Sequence, residues 1–474
     1  MTASKSRNTP RPLPALLRRA ILESIPQQPF QSGEVPPKYL YLPRAHLRAL
    51  QLDSMLVVGM RGAGKSFWWY ALLDPAIRSV VLGNDIAVGG GFGLKSSRDW
   101  PDRDELNKLV KANQQPRLIW KTIVLRQVAR TEMPEDWEGA VEWVASQPSR
   151  VAAALREADE KLRQGNKKHL VVFDALDTTA ADSPLIESAL LRGLLQLVVE
   201  LRAFSSIRAK LFVRPDMLDD PKVKDFTDSS KAIASAVHLK WSTADLYGLL
   251  FQYLANGDDD EASAAFRDLT GERWEYVSLA WCVPEALRDS ATQESVFAGL
   301  AGPWMGMDRR RGKTYTWVPN HLADAHDQVS PRSVLAAILG AAVHGIPDGH
   351  PSALHWKGIH EGVRAASKYR VTEIAEDFAW VHRAMELLRD LVVPCEKARV
   401  LGAWKKPLIK EWKDGKLATR LGAETSDGEF LESVFNELQR VGVLQVLRDE
   451  RINIPDVYRV GFGLRRKGGF TPRE

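Results

Sequence analysis

A glycine-rich loop followed by a lysine and a serine is the feature of this sequence best suited to chemistry. Residues Gly59–Ser66 read Gly-Met-Arg-Gly-Ala-Gly-Lys-Ser; they follow the apolar run Met55–Val58 and lead into a helical pattern at Lys65–Leu73. Strand, glycine loop and helix in that order are the context of a phosphate-binding Walker A motif. Loop N–H groups, the lysine and the serine hydroxyl bind phosphates and Mg²⁺. The motif therefore predicts binding of ATP with magnesium.

The loop and the first turn after it supply most of the predicted nucleotide contacts. They are Gly59, Arg61, Gly62, Ala63, Gly64, Lys65, Ser66 and Phe67. A chance match in a glycine-containing loop is the alternative, and the flanking strand and helix patterns argue against it.

An aspartate ends a second apolar run. Asp174 follows Leu170–Phe173, and a carboxylate at the tip of a buried strand can bind the magnesium of a nucleotide through water. We therefore expect Ser66 and Asp174 to hold the metal. Hydrolysis also needs a group that orients or deprotonates water, and Asp177 is the nearest acid downstream. A helix N-cap is the alternative role for Asp177.

A third charged residue emerges from an apolar strand. Arg214 follows Leu211–Val213, where it can sense a γ-phosphate; the alternative is a solvated strand end that Pro215 closes. The predicted catalytic set is Lys65, Asp174, Asp177 and Arg214.

The surrounding pattern predicts an α/β fold, a P-loop NTPase parallel sheet with helices on both faces. The expected strands are Met55–Val58, Ser79–Leu82, His169–Asp174, Ala209–Val213 and Ala234–Lys240. The glycine-rich stretch Val88–Gly93 lacks a lysine–serine pair, so a flexible connection is expected there. Leu118–Leu125 is an apolar stretch in a mainly helical region that could form another strand.

Four segments follow from these patterns. Residues 1–38 are expected to form a flexible arm with one short helix at Leu13–Ile25, and residues 39–256 the P-loop domain. Residues 257–415 are expected to form a helical lid region, and residues 416–474 a winged-helix domain with a basic tail. The last assignment depends on a helix at Glu429–Val441 followed by two short strand-like pieces.

The order of these features resembles P-loop ATPases of the additional-strand class, closest to the STAND and origin-recognition branches of the AAA+ relatives. The resemblance rests on the Walker A loop, on the strand ending at Asp174, on Arg214, and on the junction Leu239–Thr243. It implies that Arg214 is a sensor and that Arg332, which opens the helix Ser333–Ala342, is a second γ-phosphate contact; a surface helix start is the alternative for Arg332. Ala175 stands after Asp174, where many relatives carry a second acid. The resulting Asp-x-x-Asp pattern has some KAP-like character, and the missing acid implies slow hydrolysis.

Two basic clusters lie outside the Walker motifs. Arg309–Arg311 could supply an arginine finger to a neighbouring subunit, with a solvated basic loop as the alternative. Arg465–Lys467 and Arg473 follow the winged-helix segment, where such residues commonly contact DNA phosphates. Glu429, Glu432 and Glu437 on the preceding helix would repel phosphate, so protein contact is an equal alternative to DNA.

Composition narrows the functional class. The 474 residues include only two distant cysteines, which argues against a disulfide framework or zinc finger and favours a reducing cytoplasm. No apolar run approaches the ~20 residues that span a bilayer, so no membrane partner is expected. The net charge of +5 does not by itself indicate nucleic acid.

Two functional hypotheses follow. In the first, ATP closes the C-terminal parts on the P-loop domain, and the protein self-associates or controls a separate effector protein; the resemblance makes bacterial anti-phage defence a candidate setting. In the second, the chain is an origin-recognition-like ATPase that places its winged helix on duplex DNA. A metabolic P-loop kinase is disfavoured by the large helical C-terminal half.

Overall fold

The structure is a computed structural model that describes residues 13–27, 36–91, 100–112, 114–129, 131–174, 184–278, 280–414 and 426–467. The chain forms two units. We call residues 30–35 and 42–240 the sheet unit, and residues 1–29, 36–41 and 241–474 the helical unit. Among the described residues, no helix is both long and apolar enough to cross a membrane.

Parallel strands form the centre of the sheet unit. They are β1 (Leu56–Val58), β2 (Ile86–Gly91), β3 (Lys168–Phe173), β4 (Ile207–Val213) and β5 (Val237–His238). Within the described residues the order of this sheet is β2-β3-β4-β1-β5, and every pairing is parallel. An additional strand, β4, therefore lies between the strand that enters the glycine loop and the strand that ends before Asp174. The predicted α/β fold with a parallel sheet is present.

The helices of the sheet unit surround a large apolar core. The α-helices of both units are numbered together, and α1 belongs to the helical unit. Those of the sheet unit are α2 (Arg44–Leu50), α3 (Lys65–Leu73), α4 (Pro75–Val81), α5 (Arg103–Lys111), α6 (Pro116–Val128), α7 (Trp137–Ser146), α8 (Pro148–Gln164), α9 (Pro184–Glu200), α10 (Pro215–Leu218), α11 (Pro221–Lys224) and α12 (Ser229–Ala234). Trp120 of α6 packs edge-to-face on Phe173 of β3 with ring centroids 5.7 Å apart, and its indole N–H donates to the carbonyl of Leu190 at 2.9 Å. The aromatic core thus supports the strand that ends before Asp174.

Three stretches of this unit differ from the predicted or possible secondary structure. Ser79–Leu82 is not a strand, because Asp74 caps a helix there by accepting the N–H groups of Ala76 and Ile77. Leu118–Leu125, which could have formed a strand in a mainly helical region, lies inside α6.

The third error concerns the glycine-rich stretch at Val88–Gly93, which was expected to be a flexible connection. Its described residues belong to β2, which pairs along its length with β3. A Cβ on Gly90 would lie 2.6 Å from a methyl group of Val172 and 2.9 Å from one of Leu73. The glycines therefore permit close packing, which glycine in a strand often signals.

The helical unit consists mainly of α-helices with small two-stranded sheets. Its helices are α1 (Leu13–Ser24), α13 (Thr243–Ala255), α14 (Asp260–Thr270), α15 (Ser290–Ala301), α16 (Thr314–Leu322), α17 (Pro331–His344), α18 (Trp356–Asp377), α19 (Ala379–Glu386), α20 (Lys397–Trp404), α21 (Pro407–Lys413), α22 (Asp427–Arg440) and α23 (Asp456–Arg459). Its strands are β6 (Glu275–Val277), β7 (Ala280–Cys282), β8 (Val392–Val393), β9 (Gln445–Val446), β10 (Ile452–Asn453) and β11 (Arg465–Arg466).

The N-terminal helix is packed into this unit. The helix predicted at Leu13–Ile25 is present as α1, and Leu17, Ala20 and Ile21 are buried. The Arg18 guanidinium donates to the carbonyl of Ala342 at 2.7 Å. The described part of the predicted flexible arm is therefore packed helix. The division between the units falls between Lys240 and Trp241, ahead of the predicted boundary at residue 256, because α13 packs with α14 and α15.

The C-terminal segment contains a helix followed by a hairpin, as predicted. The helix α22 precedes β9 and β10, which pair antiparallel. On α22, Glu432 pairs with Lys397 at 2.6 Å and Glu437 pairs with Arg440 at 2.6 Å. The assignment of this segment as a winged helix stays a prediction.

Candidate nucleotide-binding site

The glycine loop adopts the backbone conformation that its glycines allow. Gly62 and Gly64 have φ angles of 78° and 98°, in the left-handed region that glycine enters without steric cost. Gly64 is the residue from which α3 begins, so the first turn of that helix points its N–H groups back toward the loop. This is the arrangement that an anion needs at a helix N-terminus.

The Lys65 side chain lies over the loop itself. Its ammonium group donates to the carbonyls of Gly59 at 2.9 Å and Met60 at 3.1 Å. Lys65 is partly buried, whereas Ser66 beside it is exposed and Ala63 is buried. A cation and a hydroxyl are thus placed at the same helix end.

The strand register brings the acid and the arginine to the same sheet edge. Val58 pairs with Val213, so Gly59 and Arg214 follow neighbouring strand ends, and the N–H of Gly59 donates to the carbonyl of Val213 at 3.1 Å. Phe173 pairs with Leu211, which places Asp174 one strand further along. Asp174 and Arg214 retain only 3% and 6% of their accessible surface. Both charged groups are therefore buried at the carboxyl edge that carries the loop.

Arg214 has a carboxylate partner that sequence reasoning missed. Its Nε and Nη2 atoms each donate to one oxygen of Asp216, both at 3.0 Å. A two-point pair of this kind fixes the plane of the guanidinium group. Asp216 is only two residues from Arg214 in the sequence. The presence of an acid so close to a predicted sensor arginine could therefore have indicated this pair.

A histidine holds the phosphate-loop helix in place. The indole N–H of Trp68 donates to Nδ1 of His46 at 3.1 Å, and Nε2 of His46 lies 3.1 Å from the carbonyl of Lys240. Since an indole can only donate, Nδ1 accepts and the proton sits on Nε2. His46 is fully buried, so α2, α3 and the chain after β5 are joined through one imidazole. No local pattern predicts this contact, because its partners are far apart in sequence.

A buried lysine supports the chain that enters β1. The ammonium of Lys210 in β4 donates to the carbonyls of Ala49 at 2.6 Å and Gln51 at 2.9 Å, and also to that of Ser54. Burial lowers the pKa of Lys210 to about 7. Three carbonyl acceptors need three N–H bonds, which only the ammonium form provides, so the geometry favours the charged form more than burial alone suggests. Sequence reasoning did not single out Lys210.

Three further residues were predicted for this site. Asp177 lies outside the described residues. Phe67 is half-buried and packs edge-to-face against Trp68, with ring centroids 4.8 Å apart. Arg332 belongs to the helical unit, at the start of α17, where it donates to Glu373 at 2.6 Å. The nucleotide contacts of Phe67 and Arg332 stay predictions.

The residues present fit a magnesium nucleotide. The loop has two glycines in the left-handed conformation, a lysine ammonium directed at the loop, and an exposed hydroxyl at the helix start. Loops with these donors bind the β and γ phosphates, while a serine hydroxyl and a strand-end aspartate suit a hard cation. Arg61 is half-buried in the same loop.

Comparison with known proteins gives little. No family model matches the chain, and no curated protein matches it. Among solved structures, the chain is similar to the ORC2 protein of Aeropyrum pernix, determined as ADPNP–ADP complexes. The identity is 13%, the alignment covers 92% of this chain and 99% of that one, and the TM-score is 0.32. A likeness of this size does not bear on the function of this chain.

Proposed function

We propose that this chain binds ATP with Mg²⁺ at the loop Gly59–Ser66, hydrolyses it slowly, and acts as a molecular switch. The ATP-bound form changes conformation or assembles, and so controls a partner effector protein. A bacterial anti-phage defence system is the setting that the resemblance implies.

One observation carries this proposal: the glycine loop, Asp174 and Arg214 all follow strands that end at one edge of a parallel sheet. At that edge Lys65 would neutralise phosphate charge, and Ser66 with Asp174 would hold the magnesium. Arg214 would respond to the γ-phosphate. Slow hydrolysis is supported by Ala175, which leaves the position after Asp174 without a second acid. Asp177 is the proposed water-orienting group.

The test is the particle mass by light scattering in ATP–Mg²⁺, in ADP–Mg²⁺ and without nucleotide. A mass increase in ATP that Lys65→Ala abolishes and Lys167→Ala retains would support an assembling switch. Lys167 is a suitable control because it is an exposed lysine of the same unit. A mass that never changes would exclude self-assembly. Control of a separate protein, or of DNA, would then be the remaining forms of the switch.

DNA binding is the second candidate. It is favoured by exposed lysine side chains next to the C-terminal helix–hairpin segment. Lys405, Lys406 and Lys410 are exposed at the junction of α20 and α21. Their ammonium groups suit phosphate contact better than the acidic α22 does. Duplex binding that requires ATP and disappears on Lys405→Ala/Lys406→Ala/Lys410→Ala would support this reading.

A further inference from the structure

An ordered turn in the helical unit presents three consecutive arginines to solvent. Arg309, Arg310 and Arg311 form a short 3₁₀ helix, and all three side chains are exposed. In the part of the chain that the structure describes, none of the three guanidinium groups forms an ion pair or hydrogen bond. We call residues 305–312 the arginine turn.

The arginine turn is held by its own backbone. The N–H of Met305 donates to the carbonyl of Gly312 at 2.9 Å, and the Asp308 carboxylate accepts the N–H of Arg310 at 2.9 Å. Below the turn, Trp304 and Lys313 form an antiparallel bridge. An ordered backbone keeps three like charges close together, which is unfavourable until an anion binds. A flexible, solvated loop would let these charges separate.

The surroundings of the turn are also suited to binding. The Met307 side chain is fully exposed at 101% of its reference surface, next to the arginines. Burial lowers the pKa of His360 on α18 to about 4, and the charge of Arg311 is one of the lesser causes of this shift.

A small pocket opens at the base of the same loop. Its volume is about 200 Å³, and its lining includes Pro303, Trp304, Thr314, Tyr315, Glu294 and Ala298. This volume is below the roughly 300–1,000 Å³ of pockets for drug-sized ligands, so the pocket has room for one small group. Lys313 pairs with Glu294 at 2.7 Å on the lining. Trp304 is half-buried, which leaves part of its indole accessible.

We propose that the arginine turn and this pocket bind single-stranded nucleic acid. The phosphates of the strand would contact Arg309, Arg310 and Arg311, because a planar guanidinium matches phosphate at two points. One unstacked base would enter the pocket against Trp304, as bases of single strands stack on aromatic side chains. The bases of a duplex stay paired and would not reach the pocket. This proposal does not rest on the nucleotide switch, since none of its residues belongs to the site proposed at Gly59–Ser66, Asp174 and Arg214.

The test is fluorescence anisotropy of the full chain, without ATP, using a labelled 20-nucleotide oligo-dT and a duplex of equal length. Titrations at several salt concentrations compare the wild type with Arg309→Ala/Arg310→Ala/Arg311→Ala. The matched control, Arg273→Ala/Lys368→Ala/Arg399→Ala, removes three exposed positive charges elsewhere in the unit. Arg310→Glu and Trp304→Ala are single variants that keep the test informative if the triple variant does not fold.

We expect the arginine variant to lose at least about tenfold in affinity for the single strand. Its slope of log affinity against log salt should fall by about 2, since each phosphate contact to a single strand contributes about 0.7. Trp304→Ala should weaken binding without changing that slope. The control variant should bind as the wild type does.

Four outcomes would overturn the proposal. The wild type does not bind the single strand, or the arginine variants bind it unchanged. The duplex binds as tightly as the single strand. In the fourth outcome, a poly-glutamate peptide displaces the strand at equal charge concentration, which would identify an acidic protein as the partner.

Discussion

Two charged residues of the proposed nucleotide site are held in place by neighbouring groups of the chain itself. Lys65 is bound by two loop carbonyls, and Arg214 is bound by Asp216. When a phosphate enters the loop, Lys65 would therefore exchange its carbonyl partners for phosphate oxygens. No free lysine side chain would have to be ordered. Ordering costs conformational entropy, so prior placement of the lysine favours affinity.

Asp174→Asn tests the predicted magnesium contact separately from phosphate binding. We expect the affinity for ATP–Mg²⁺ to fall about tenfold or more, because an amide is a poorer ligand for Mg²⁺ than a carboxylate. The affinity for ATP without metal should not change. Calorimetric titrations with and without Mg²⁺ measure both values, with Asp85→Asn, an exposed aspartate before β2, as the control. An equal loss with and without metal would contradict the assignment.

His46→Leu tests the imidazole that joins α2, α3 and the end of β5. The change leaves the indole N–H of Trp68 and the carbonyl of Lys240 without their partner, and burial makes each lost bond costly. We expect the free energy of unfolding to fall by about 2–4 kcal/mol in urea denaturation. Trp68→Phe should lower the free energy of unfolding by less in the His46→Leu variant than in the wild type. Additive losses would argue against a direct coupling between the two side chains.

His169 in β3 predicts a dependence of stability on pH. Burial lowers the pKa of its imidazole to about 4, below the ordinary value of about 6.5, so the unfolded chain binds more protons between these pH values. Stability is therefore full above pH 6.5 and is lost as the pH falls toward 4. We expect about 1–2 kcal/mol of this loss at pH 5 to be absent in His169→Gln, measured by urea unfolding at pH 7.5 and pH 5. Parallel losses in both proteins would exclude His169 as the source.

At the scale of elements, the strand and helix around the glycine loop follow from local signals, whereas other elements were misread for local or long-range reasons. The strand before Gly59 and the helix Lys65–Leu73 were predicted because a glycine loop and an apolar period are local. Ser79–Leu82 was misread because its β-branched residues suggested a strand, while the cap at Asp74 decides for a helix.

The glycines of β2 were misread for a different reason. The residue that requires Gly90 to be small is Val172, on another strand and far along the chain. The partners of His46 and Lys210 are long-range in the same way. Such requirements leave no pattern in the residues around them.

Gly90→Ala tests this account of β2. The added methyl would meet side-chain methyl groups of Val172 at 2.6 Å and Leu73 at 2.9 Å, so these side chains or the elements that carry them must move. We expect a loss of about 1–3 kcal/mol in the free energy of unfolding. Gly402→Ala is the control, because a Cβ there meets no atom within 4 Å and alanine favours the helix α20. Equal effects of the two substitutions on the melting temperature would contradict the packing argument.

At the scale of the whole molecule, each unit carries its own proposed ligand. The sheet unit contains the glycine loop, Asp174 and Arg214, and the helical unit contains the arginine turn and its pocket. The sequence predicted the first site from one motif. It offered the arginine cluster only as an arginine finger or a solvated loop, because the ordered turn and the pocket arise from folding.

The central claim is that Gly59–Ser66 binds ATP, and an ATP titration followed by calorimetry tests it most directly. We expect the wild type and Lys167→Ala to bind ATP–Mg²⁺ with one site per chain. Lys65→Ala should lose at least about a hundredfold in affinity, because its ammonium is the charge proposed to neutralise the phosphates. Lys65→Ala that stays folded and binds ATP as the wild type does would contradict the account.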